Sequence, residues 1–85
     1  MEFRDKVKKA LEEIDLPELE VEVESEEHGR VVMEVLSPAF ETMPEFDRQH
    51  IVWQKRLDRL DDYEQSRVEF IFTTAPSERD AAPQS

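Results

Sequence analysis

The side chains here whose types and spacing could do chemistry are two histidines, one serine, a lysine cluster and an arginine set among aromatic residues. His28 lies in Ser25-Glu26-Glu27-His28-Gly29-Arg30, an acidic stretch with the chain's single glycine. A neutral imidazole binds iron and zinc well, so His28 is a candidate metal ligand. One histidine makes a stable site only with help from a partner. His50 recurs with Phe46 and Trp53 at helical spacing, which predicts a half-buried, hydrogen-bonded core histidine. Ser37 has no evident base beside it, and the many carboxylates read as a solvated surface, so the chain is expected not to be an enzyme. The absence of cysteine excludes disulfides, zinc–thiolate sites and a cysteine nucleophile. One glycine leaves no phosphate-cradling glycine loop, nor a Gly-x-x-Gly loop of the kind that clamps RNA.

The basic residues are few. Lys6, Lys8 and Lys9 form the densest cluster, read either as a solvated helix face or as a contact for an anion or partner. Arg48 and Arg56 join them as candidate partner or nucleic-acid contacts, with an ion pair to a nearby carboxylate as the structural reading of Arg48. Against 11 basic residues stand 22 acidic ones, a net charge of −11. Such a surface repels phosphate backbones and raises the bar for nucleic-acid binding. It suits plain solubility, a basic partner or a high-salt cytoplasm, and the excess of arginine over lysine fits the last.

These residues need elements to position them. Phe3, Val7, Leu11 and Ile14 predict a helix over about 2–15, with Glu2 and Asp5 near its positive end and Pro17 ending it. Leu19-Glu20-Val21-Glu22-Val23-Glu24 alternates as a half-buried strand does. Gly29 then supplies a tight hairpin turn, and Val31–Leu36 reads as a more buried partner strand. Ser37-Pro38 breaks it, Phe40 is a buried plug, Thr42 a cap and Pro44 a first-turn residue of a helix over about 45–62. The apolar stripe of that helix is Phe46, His50, Trp53, Leu57 and Leu60. Asp58, Asp61 and Asp62 oppose the dipole at its far end, which should fray or be held by Arg56 and Arg59. A third strand, Val68–Thr74, carries Val68, Phe70 and Phe72 on one face. The expectation is one domain over 1–76 and a disordered tail over 77–85. With 85 residues there is room for a single modest core, packed around Phe3, Phe40, Phe46, Trp53, Phe70 and Phe72. No apolar run approaches the roughly 20 residues that span a bilayer, and Met1–Lys6 lacks the apolar segment of a signal peptide. A cytoplasmic protein is expected.

The order helix, strand, strand, helical segment, helix, strand is an α+β layer fold, with a small three-stranded sheet packed by helices on one face. With the central stretch, it resembles the BolA-like family, whose αββααβ core is related in topology to type II KH domains. The strand ending in Ser37, then Phe40, then Arg48 after seven residues, matches the family's strand–Ser-x-x-Phe–(x)7–Arg arrangement. Ile51-Val52-Trp53 follow where the family has an apolar pair and an aromatic. Thr73-Thr74-Ala75-Pro76-Ser77-Glu78 resembles its Thr-Pro-Glu-Glu ending. Thr42 stands where the family has glycine, and Arg48-Gln49-His50 where it has Arg-His-Arg. The resemblance implies a non-enzymatic adaptor or regulator that partners a monothiol glutaredoxin in iron–sulfur or iron homeostasis. The chain itself would require no cofactor; an iron–sulfur cluster would be shared with the partner. The family's histidine at the start of the third strand is replaced by Arg67 or Val68. His28 is the counterpart of its second ligand, in the hairpin loop. The alternatives are a nucleic-acid-binding transcriptional regulator of BolA/KH-like fold and a purely structural interaction module.

Overall fold

The computed structural model describes residues 2–55 and 60–80. Helix α1 spans Phe3–Glu12 and buries Val7, Ala10 and Leu11. It stops before Pro17 because the Glu13 N–H turns back onto the Ala10 and Leu11 carbonyls. Strands β1, Glu20–Glu27, and β2, Arg30–Leu36, pair antiparallel, with Glu27 opposite Arg30. The two residues between them, His28 at φ 53° and Gly29 at φ 77°, are both left-handed. That is the backbone of a two-residue hairpin turn whose twist matches its strands.

A 3-10 turn, Pro38–Thr42, and helix α2, Glu45–Lys55, begin the crossover to β3, Val68–Thr74. The short helix α3, Asp62–Ser66, completes it, and a last turn, α4, spans Pro76–Asp80. The sheet order is β1-β2-β3, and β3 runs parallel to β2, a pairing that requires such a crossover. The architecture is therefore α+β with a small mixed sheet. Its inner face, Val21, Val31, Met33, Val35, Val68 and Ile71, meets Val7, Leu11, Phe40 and Val52 in the core.

Four expectations are corrected. In β3, Val31 pairs with Val68 and Val32 with Phe70, so Glu69 is an extra, bulged residue. The bulge reverses the alternation: Ile71 and Thr73 turn inward, while Phe70 and Phe72 lie outside, 44% and 48% exposed and packed edge to face. On α2 the buried positions are Arg48 and Val52, and Phe46 and His50 form an exposed stacked pair. His50 is thus no core histidine. Asp61 and Asp62 begin a helix instead of ending one: Asp61 and Glu64 form a reciprocal capping box at the start of α3. Arg56, Leu57, Asp58 and Arg59 lie outside the described residues. Residues 77–80, expected in the disordered tail, belong to α4.

The register has a measurable consequence. Ile71→Ala empties a fully buried site and should cost about 2–5 kcal/mol. Phe72→Thr, on the open face, should cost about 1 kcal/mol or less. Urea denaturation of both variants checks this; the opposite ranking would contradict the bulged register.

Candidate functional site

Arg48, the residue singled out as a partner contact, is buried in a socket of protein oxygens. It rises from the first turns of α2, and its Nε donates to the Met43 carbonyl at 2.7 Å. Nη1 donates to the Thr73 carbonyl at 3.0 Å and to Glu78 Oε1 at 2.8 Å. Nη2 donates to the Phe40 carbonyl at 2.6 Å and to Glu78 Oε2 at 2.8 Å. A guanidinium has five N–H donors in a rigid fork, and each has an acceptor here. The Phe40 ring lies 5.5 Å from its central carbon. Arg48 is therefore the structural ion pair that its sequence context allowed.

The neighbouring groups close the same corner. Ser37 Oγ accepts from the Ala39 N–H, capping the 3-10 turn, and donates to the Pro17 carbonyl at 2.8 Å. Glu41 accepts from the backbone and hydroxyl of Ser77, and Glu78 accepts from the Ala75 N–H. Gln49 donates to the Ile71 carbonyl at 2.9 Å, so α2 caps two backbone carbonyls of β3, an edge strand. Ser37, expected to have no catalytic partner, serves as a cap.

Of the other basic candidates, Lys6 is paired with Glu64 of α3. Lys8 is half-buried and Lys9 lies exposed in the last turn of α1, where a cation suits the dipole. Arg56 lies outside the described residues.

His28 leads to a different place. The hairpin turn sits against the junction of α3 and β3, and together they line a cleft of about 390 Å3. Its walls are His28, Gly29, Arg30, Tyr63, Ser66 and Arg67. Arg67 caps the C-terminus of α3 and spans the gap, its Nε donating to the Gly29 carbonyl at 2.7 Å. Its guanidinium stacks on the Phe3 ring at 4.1 Å, and its own carbonyl accepts from Val31 N–H at 2.9 Å. The Lys6 hydrogen bond, then the Asp61 N–H, hold the nearby Glu64 carboxyl below its ordinary range. The structure thus brings His28 beside Arg67 and away from Arg48 and the lysine cluster.

Metal chemistry from this chain alone has little to work with in the cleft. A guanidinium stays protonated and does not ligate metal. Among the described residues, the one group of three potential ligands with atoms within 4.8 Å is Glu22, Glu24 and Glu34, and His28 is not in it. The cleft residues do not fit a cluster held by this chain.

Searches against protein-family models, curated proteins and solved structures find no match for the chain. No helix among the described residues is long and apolar enough to cross a membrane.

Sequence reasoning named Glu78, Gln49, Arg30 and Arg67 within its motifs but gave none of them a contact to make. The spacing Asp61-x-x-Glu64, a capping signature, could have marked the start of the short helix that Arg67 ends.

The Arg48 socket predicts acid lability. Its guanidinium, then the Ala75 N–H, hold the Glu78 carboxyl down at about 2. The contribution is complete above the ordinary carboxyl value of about 4.3 and is lost as pH falls toward 2. Urea unfolding between pH 6 and pH 2 should show a shallower pH slope for Glu78→Gln than for the parent. Identical slopes would mean that Glu78 titrates unperturbed.

Proposed function

We propose that this chain is a non-enzymatic adaptor of the BolA-like type that partners a monothiol glutaredoxin in iron–sulfur or iron homeostasis. The element order supports the reading, as does the way the resemblance's motif residues interlock: Ser37 leads into the turn that holds Phe40, whose carbonyl receives Arg48. The observation that carries it is the cleft. The two positions that the resemblance assigns to ligands, the hairpin loop and the start of the third strand, share one wall-to-wall gap bridged by Arg67 and Gly29.

Arg67 alters what such an adaptor could do. Only the His28 imidazole remains as a donor, so thiolates on the partner would hold any cluster, and this chain would add one ligand or a docking surface. The nucleic-acid reading draws less support, because Arg48 and Lys6 are committed to carboxylates and the surface is strongly acidic.

The test is a titration of isotope-labelled protein with a cluster-loaded monothiol glutaredoxin, followed by NMR shifts and visible absorption. The expected result is saturable shifts at His28, Gly29 and Arg67, with a changed spectrum that His28→Ala weakens. Shifts with a spectrum indifferent to His28→Ala would remove the ligand role and keep the adaptor. No shifts would overturn the partnership.

A further inference from the structure

We infer that the cleft between the hairpin turn and the α3–β3 junction is an oxyanion site, taking the phosphate or carboxylate of a small ligand. The chain carries twice as many acidic as basic residues, 22 against 11, yet among the described residues no carboxylate lines this cleft. Its lining instead gathers Arg30, Arg67 and His28, with Tyr63 and with Ser66, whose hydroxyl donates to the Tyr63 carbonyl. Arg4, Lys6 and Arg48 are each paired with a glutamate, whereas neither Arg30 nor Arg67 has a carboxylate in direct contact among the described residues; the Arg67 charge does reach the Glu64 carboxyl, after Lys6 and the Asp61 N–H, and helps to lower it.

Arg67 is held ready for such a ligand. Its Nε is fixed by Gly29 and its plane by Phe3, while its terminal nitrogens have no hydrogen-bond acceptor among the described residues. A guanidinium so restrained gives up little freedom when it forms a two-pronged bond to an oxyanion. Arg30, an exposed residue of the same lining, adds a second charge. A side chain at position 29 would narrow the gap, since a Cβ there would lie 3.6 Å from an Arg67 terminal nitrogen. Two carboxylates stand close by. Glu64 is occupied by Lys6 and by the Asp61 N–H, and Glu27 is exposed opposite Arg30. The volume, about 390 Å3, equals that of roughly a dozen waters at about 30 Å3 each. That leaves room for the organic body of a phosphomonoester or carboxylic acid beside its charged head.

This inference rests on the composition of the cleft and not on the adaptor reading. The test titrates the labelled full chain with inorganic phosphate, phenyl phosphate and benzoate in separate arms, each against sodium chloride of equal ionic strength. The expected result is saturable shifts confined to residues 28–30 and 63–67 in at least the phosphate-bearing arms. Arg30→Gln, which removes no described structural contact, should weaken the apparent affinity at least threefold, and Arg67→Gln should abolish it. Saturation by phenyl phosphate or benzoate but not by inorganic phosphate would assign the site to an organic ligand; saturation by inorganic phosphate alone would assign it to the free ion. Shifts that match the chloride control, or that gather equally at Lys8 and Lys9, would overturn the proposal. Anion binding without a response to glutaredoxin would leave this inference standing while the adaptor reading fails, and the reverse outcome would separate them equally well.

Discussion

A buried guanidinium must find an acceptor for every N–H, and in this chain that requirement organises one end of the molecule. Arg48 is only 7% exposed, and an arginine so deep is costly unless its donors are satisfied. Its acceptors come from the 3-10 turn and its exit, just before it in sequence, and from the end of β3 and α4, 25 and 30 positions after it. The 3-10 turn also buries Phe40 in the core and the end of β3 buries Ile71, with Ala75 just past it, whereas α4 is a single polar turn beginning at Pro76. The arginine ties the three together through their oxygens, and Glu78 supplies the countercharge.

The same constraint explains why some elements were legible in the sequence and others were not. The β1–β2 hairpin followed from alternation and one glycine, both local signals, although the register shifts at a bulge between Val23 and Ser25 that the alternation did not announce. The face of α2 did not: reading Phe46 and His50 into the core assumed that hydrophobicity selects the buried stripe, whereas Arg48 fixes the rotation of the helix. In β3 a single bulged residue, Glu69, inverted the faces of Phe70 and Phe72, and a bulge leaves no mark in a pattern of period two. Residues 77–80 looked disordered because their composition is polar; they are anchored by the Arg48–Glu78 ion pair and the Ser77 hydrogen bonds to Glu41, long-range contacts that composition cannot reveal.

The candidate site shows the same division. His28 was visible as a histidine in a turn, but its neighbour Arg67 is 39 positions later and is brought there by the parallel crossover. The residues of the motif Ser37, Phe40 and Arg48 serve the architecture, and the chemistry-bearing groups gather at the hairpin and the α3–β3 junction. In so acidic a chain, a concave surface lined by two arginines and a histidine is less repulsive to an anionic group than the carboxylate-rich surface around it. The open face of the sheet, with Phe70 and Phe72 beside Glu34, is a second surface that no described helix covers.

Native-state hydrogen exchange of Arg48→Lys against the parent tests the central claim most directly. A lysine keeps the charge and loses the fork. The account predicts that protection falls first at the amides of Phe40, Met43, Glu78 and Arg79, which close the turns around the socket, while the β1–β2 ladder keeps its protection. Unchanged protection at those four amides would contradict it, because the turns would then hold themselves in place without the arginine.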